Sequence, residues 1–213
     1  MAVRGLLFLI IGPGGAGKDT LMNAVLARFH QEVAASLQEV VTATTRPMRT
    51  GEQDGISYHF LSRERFQTMI QAGELLEYAE VTNGDFYGTP RASIVPQLEA
   101  GQFLICDVDV QGAQALRRQL SGDVVTIFIT VEGDDDEARL RVLEQRMTAR
   151  GAMDETRLRA RLERARSIEL PYAESCDAII INQDRELASQ ALYDTLKRFI
   201  AQRQIFPPQE SLS

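Results

Sequence analysis

Tryptophan is absent from these 213 residues, and cysteine and histidine occur only twice each. Cys106 and Cys176 form no C-x-x-C pair, so neither a disulfide framework nor a zinc site is indicated. Both sit in apolar runs and read as inert buried thiols. His30 and His59 are too few and too far apart for a metal centre or a catalytic triad. An excess of basic charge is also missing: 23 Lys and Arg stand against 30 Asp and Glu, a net charge of −7. That balance argues against broad binding to nucleic acid or to a membrane surface. Any phosphate must be gripped by local arginine clusters against the overall field. No apolar run approaches the roughly 18 residues of a membrane span. The stretch from Val3 to Ile11 is followed by no A-x-A-like cleavage site, so it reads as a first strand rather than a signal peptide, and the cytoplasm is the expected location. There are no repeats and no low-complexity tract. With 44% hydrophobic and 25% charged residues, the chain fits one soluble domain with insertions.

What the chain does have is glycine in one decisive place. Phe8 to Ile11 is a buried strand that runs into Gly12-Pro13-Gly14-Gly15-Ala16-Gly17-Lys18-Asp19-Thr20. The glycines let the backbone turn sharply with its N–H groups facing one point. Lys18 adds a full positive charge, and a helix beginning near Thr20 adds its positive dipole end. The spacing fits the P-loop pattern G-x-x-x-x-G-K-[ST] except at its last position, where Asp19 replaces a hydroxyl. The loop predicts a bound nucleoside triphosphate. Asp19 has two open roles, ligating Mg²⁺ or turning away toward an arginine, and the second is expected.

Along the chain, a strand over 6–11 and a helix to about His30 are followed by a change of character at 40–90. Val40 to Thr45 is rich in β-formers, 46–55 reads as loop, and Ser57 to Leu61 reads as a short strand. Ser62 caps a helix through Ile70 that stops at Gly73. Leu75 to Val81 and Asp85 to Gly88 read as a hairpin around Asn83-Gly84. Strands over 103–108 and 124–131 then alternate with a helix over 112–120. Glu132 to Glu169 is charged and helical, with Gly151 as the break. A last buried strand covers 178–181, a last helix 187–201, and 207–213 is expected to be a disordered tail. Continuous apolar strands alternating with helices imply an α/β fold, a three-layer core with its parallel sheet covered on both faces.

The segment from Thr42 to Phe60 carries Arg46 and Arg49, which can fork onto one phosphate. This stretch is Thr44-Thr45-Arg46-Pro47-Met48-Arg49-Thr50-Gly51-Glu52-Gln53-Asp54-Gly55-Ile56-Ser57-Tyr58-His59-Phe60. Together with Leu75 to Glu80 and Phe86 to Pro90, it resembles the GMP-binding region of guanylate kinases. The resemblance runs from about Leu6 to Phe199. It implies one domain over 1–206: a P-loop core (1–39, 91–131, 170–206), a β-rich GMP-binding insertion (40–90) and a helical lid (132–169). It also implies that Arg46, Arg49, Tyr58 and Tyr87 hold the GMP phosphate, with Glu52 supporting the arginines. Glu77 would accept from guanine N1–H and N2–H₂, Asp109 would help at the amino group, and Thr42 and Thr89 would address O6. The chemistry is coherent without the family. Guanine presents two adjacent donors that a carboxylate matches and adenine does not offer, and a site built on such an acceptor rejects ligands that leave it unpaired. Tyr78 departs from the family's tryptophan, and 81–85 is one residue longer.

Asp107 ends a hydrophobic strand and resembles a Walker-B acid that holds Mg²⁺ through water. Arg146, Arg150 and Arg161 match the lid arginines, which close over ATP and neutralise developing charge. The other arginines of this stretch, Arg164 among them, read as solvated helix charge. Asn182 matches a position near the adenine of ATP. The implied reaction is ATP + GMP → ADP + GDP. Two other readings fit less of the chain. A sugar-phosphate kinase such as ribose 1,5-bisphosphate phosphokinase shares a Lys-Asp-Ser-like loop but has no use for Glu77. A guanylate-kinase-like scaffold module would not need Gly17, Lys18, Arg46, Asp107 and Arg150 intact.

Overall fold

Five consecutive apolar residues, Leu7–Ile11, form β1, and every one of them is buried, so both faces of this strand are covered. A computed structural model describes residues 3–32, 37–80, 84–149, 151 and 154–205. The expected tail at 207–213, Arg150 and the hairpin positions 81–83 lie outside them. After β1 the chain forms α1 (Lys18–Glu32), β2 (Leu37–Glu39), β3 (Ala43–Thr44), β4 (His59–Phe60), α2 (Arg63–Gln71), β5 (Leu75–Glu80) and β6 (Phe86–Pro90). Then come α3 (Val95–Glu99), β7 (Phe103–Asp107), α4 (Val110–Gln119), β8 (Val124–Thr130), α5 (Asp136–Ala149) and α6 (Glu155–Arg164). A π-helical turn over Ala165–Glu169 leads to α7 (Leu170–Tyr172), β9 (Ala178–Ile181) and α8 (Arg185–Ile205).

The main sheet is parallel and five-stranded, in the order β2-β7-β1-β8-β9. Its register sets Ile10 beside Asp107 and Ile11 beside Phe128. Asp107 therefore ends β7 next to the glycine loop that follows β1, at the carboxyl edge where open α/β sheets bind ligands. A second sheet, β4-β3-β6-β5, has four strands and is built wholly from residues 43–90. It has its own small core, in which Phe66 of α2 stacks on Phe86 of β6 with ring centroids 5.4 Å apart. Ser62 caps α2 as expected, accepting from the Arg65 N–H at 3.1 Å. The pairing of β5 with β6 is irregular between Leu75 and Glu77, a local break that re-aims the side chains beyond it.

Two sequence expectations differ from what is observed. The β-rich run 40–45 yields only the two residues of β3, while β2, which precedes it, joins the main sheet as its edge strand. The last strand, β9, is not buried throughout. It forms the other edge, with Ile179 48% and Ile181 56% exposed. A continuous apolar run reads as covered on both faces, but at this sheet edge only Ile180 is buried, with Ala178 partly covered by the core.

The long α8 is tied to the first strand by charge. Arg203 is buried, donates to the carbonyls of Arg4 (3.0 Å) and Gly5 (3.1 Å), and pairs with Asp123, which also accepts from Arg4 Nε at 2.8 Å. Removing one partner of a buried pair leaves an uncompensated charge. Asp123→Ala should therefore cost about 3 kcal/mol and lower the melting temperature by several degrees. An unchanged melting temperature in a thermal scan would contradict this account of how α8 is held.

Candidate active site

The loop from Gly12 to Gly17 is held from three sides. Lys18 Nζ turns back to donate to Gly12 O at 2.8 Å. A Cβ on Gly12 would lie 2.1 Å from Ile129 O in β8, and one on Gly17 would lie 2.4 Å from Asn182 Nδ2. Gly17 also sits at φ +90°, a conformation that side chains rarely adopt. From above, α5 closes on Gly15 through Met147 and Leu143. Pro13 O accepts from the Ala16 N–H at 3.1 Å and closes the turn. The first N–H groups of α1 and the Lys18 ammonium thus face one cavity, an arrangement that attracts anions.

That cavity holds about 500 Å³ and is lined by Gly12, Gly14, Gly15, Gly17, Lys18, Asp19, Asp107, Asp109 and Arg161. Arg161 reaches over the loop: a Cβ on Gly14 would lie 3.4 Å from its Nη1. Three expected residues face elsewhere. Thr20 lines a separate depression between α1 and α8. Arg146 donates to Glu132 (3.0 Å) and to the Asn182 carbonyl (2.8 Å) rather than into the cavity. Asn182 is buried, with its amide donating to Ala16 O at 2.7 Å, so its side chain supports the loop rather than facing a base.

Asp19 does not turn away toward an arginine. It lines the cavity close to Asp107, whose proton affinity it raises. Burial, together with the neighbouring Asp19 and Asp109, pushes the Asp107 carboxyl up to about 7, although Lys18 Nζ at 3.9 Å opposes this. Glu39, at the end of β2, is also raised by burial and by Asp19. A second cleft of about 260 Å³, lined by Thr42, Tyr58 and Glu39, shares Asp19 and Asp107 with the first. The two openings therefore meet at this pair of acids.

In the second sheet, Arg46 is buried and forms a bidentate pair with Glu52, 2.7 Å and 2.5 Å. Its guanidinium lies 5.1 Å from the Tyr58 ring centroid. Glu52 additionally accepts from the Arg49 N–H at 2.8 Å, and the Arg46 pairing holds its carboxyl at about 2. The Tyr58 and Tyr87 rings meet edge to face at 6.0 Å. The Arg49 side chain is exposed. Arg46, Glu52, Tyr58 and Tyr87 are thus one contact group before any ligand arrives. On β5, Glu77 is half-buried and accepts from the buried Thr89 Oγ1 at 2.6 Å; burial first, then Asp109, raises its proton affinity. Asp109 caps α4 by accepting from the Gly112 N–H at 2.8 Å.

Sequence reasoning missed Arg164 and Glu169, which also line the large cavity. Arg164 had a signal: it stands three residues after Arg161, on the same helical face. Glu169 depends on the π-helical turn, which no residue pattern announces.

A glycine loop at the carboxyl edge of a parallel sheet, with an arginine-bearing helical segment reaching over it, defines a P-loop fold. A family model described as guanylate kinase matches residues 5–201. A guanylate kinase of Salinibacter ruber is 36% identical over 195 residues, covering 92% of this chain and 97% of that one. One from Bradyrhizobium diazoefficiens is 40% identical over 194 residues, covering 91% and 83%. A crystal structure of guanylate kinase from Anaplasma phagocytophilum superposes with a TM-score of 0.69 at 27% identity, covering 92% of this chain and 87% of that one. The chain belongs to the guanylate kinase family.

Because its folded-state value lies above the ordinary 3.8, Asp107 favours folding most at low pH, and this contribution is lost as pH rises to about 7. Asp107→Asn should therefore raise the melting temperature of the nucleotide-free protein more at pH 8 than at pH 5, relative to the native chain. Equal differences at the two pH values would contradict the proton assignment.

Proposed function

We propose that this guanylate kinase family member transfers the γ-phosphoryl group of ATP to GMP, giving ADP and GDP. The observation that carries the reading is the pairing of two unlike clefts at Asp19 and Asp107: a glycine-and-lysine cradle on one side, and on the other a cleft lined by Thr42 and Tyr58, whose ring adjoins the anchored Arg46 and meets Tyr87. An oxygen of the GMP phosphate attacks the γ-phosphorus. That P–O bond forms as the bond to the bridging oxygen of ADP breaks, and ADP leaves with the electron pair. The attacking phosphate is already anionic, so no general base is required. Such transfers depend on alignment and on positive charge around the moving oxygens.

Arg46, Arg49, Tyr58 and Tyr87 would grip the acceptor phosphate, with Glu52 holding Arg46 in place. Glu77 would receive the two guanine donors, beside Asp109, Thr89 and Thr42. Lys18 and the loop N–H groups would hold the ATP phosphates. Arg161 would reach the γ-phosphate from above the loop, and Arg146 would join it on release from Glu132 and Asn182. Arg150 is assigned with them from its position in the R-x-x-x-R-G pattern.

Among the described residues, no three His, Cys, Asp or Glu side chains gather into a metal site. Mg²⁺ keeps several waters and is held largely by substrate phosphates with one or two carboxylates. Asp107 would hold it through water, with Asp19 alongside. When bound, the ion would offset the negative charge of the phosphates. Closing the lid over both clefts would exclude water, which otherwise competes as acceptor. No helix among the described residues is long and apolar enough to cross a membrane. The reaction belongs to purine nucleotide metabolism, and the cytoplasm is the proposed location.

A coupled assay of ADP release tests the reading with ATP and one acceptor at a time. GMP should support turnover; AMP and ribose 1,5-bisphosphate should not. Release with ribose 1,5-bisphosphate alone would favour a sugar-phosphate kinase, and the absence of release with every acceptor would favour a scaffold module. Lys18→Ala should lower kcat about 10²-fold or more in a protein that still melts cooperatively. Native rates in that variant would remove the loop from the chemistry.

A further inference from the structure

Arg164 is the last residue of α6, and its guanidinium makes two contacts across the large cavity. Nη2 donates to Asp109 Oδ2 at 2.7 Å, and Nε donates to Glu169 Oε1 at 3.3 Å. The π-helical turn that follows aligns residues five apart, which turns Glu169 back toward Arg164. Glu169 is largely buried at 12% side-chain exposure, while Arg164 and Asp109 are 43% and 40% exposed. The cation is thus fixed from below by a sheltered acid and reaches a second acid at the cavity wall.

That second acid has a neighbour of the same sign. A Cβ on Gly112 would lie 3.4 Å from both Asp109 Oδ1 and Glu77 Oε2, so the two carboxylates flank one point of the α4 backbone. Thr89 occupies Glu77 Oε1 and the Gly112 N–H occupies Asp109 Oδ1. Among the described residues, Arg164 is the one cation bonded to either carboxylate. Two like charges this close repel and drift apart unless a counter-charge holds them.

We propose that Arg164 is a positioning residue for the acceptor base, fixing Asp109 beside Glu77 and tying the segment that carries Arg161 to the guanine site. The inference rests on the GMP reading, since Asp109 and Glu77 matter to catalysis only if a base with adjacent donors sits on them. Arg164 need not touch either nucleotide. Its effect passes through Asp109, so it should act on the acceptor and leave the donor alone.

The test measures KM for GMP, KM for ATP and kcat in Arg164→Ala, Arg164→Lys and Arg166→Ala, with GMP binding followed separately by calorimetry without ATP. Arg166 is an equally exposed neighbour, paired with Glu137 on α5. Its loss loosens the same segment without touching Asp109. Arg164→Ala should weaken GMP about fivefold, in KM and in direct binding, as a half-exposed charged hydrogen bond allows. KM for ATP should stay within twofold, and Arg164→Lys should recover most of the loss. Arg166→Ala should leave GMP binding unchanged. Equal GMP losses in the Arg164 and Arg166 alanine variants would overturn the proposal, as would an effect on ATP as large as that on GMP. Native GMP binding in Arg164→Ala would overturn it while leaving the GMP reading standing. A native protein that takes up no GMP would remove both.

Discussion

Everything in this molecule is arranged around a loop that has no room for side chains. Gly12 is pressed against the β8 backbone, Gly15 against α5, and Gly17 against the Asn182 amide. A loop so confined presents its N–H groups in one direction without reorganising when a ligand arrives, which is the condition for strong electrostatic stabilisation. The confinement also explains Asn182. Its buried amide is spent on the Ala16 carbonyl, and its own carbonyl receives Arg146. The end of β9 therefore links the floor of the cradle to one of the lid arginines.

Charge is distributed to match that geometry. Before ligands bind, acids outnumber bases where the clefts meet: Asp19, Asp107, Asp109 and Glu39 stand near Lys18, and Asp107 and Glu39 hold protons more firmly than usual. Under the proposed reaction, Mg²⁺ arriving with the phosphates would offset part of this negative charge. The acceptor side is built the other way. Arg46 is already paired with Glu52 and framed by Tyr58 and Phe60, so its orientation is settled in advance. Under the proposed reaction one side awaits neutralisation while the other stands ready, which suits an enzyme that must bring two anions together.

Much of this was legible in the residues. The glycine spacing, the apolar strands β1, β7 and β8 and the Ser62 cap are local signals, and each produced the element it implied. Three features were not legible because their causes are not local. Three-residue β2 is a strand only because β7 lies beside it. Exposure of Ile179 and Ile181 follows from an edge position that the β9 run itself does not encode. Arg164 looked like its solvated neighbours until the chain folded and Asp109 stood 2.7 Å away. The direction in which Asp19 points was likewise decided by tertiary neighbours rather than by its place in the loop.

The central claim is that an acceptor carboxylate on β5 selects the base that meets the phosphate cradle. The most direct test replaces Glu77 by glutamine, which keeps the shape but puts an amide donor where guanine also donates. KM for GMP should rise at least about tenfold, the scale of a lost charge-assisted hydrogen bond, while KM for ATP stays near its native value. An unchanged KM for GMP would remove Glu77 from the base site and contradict the account.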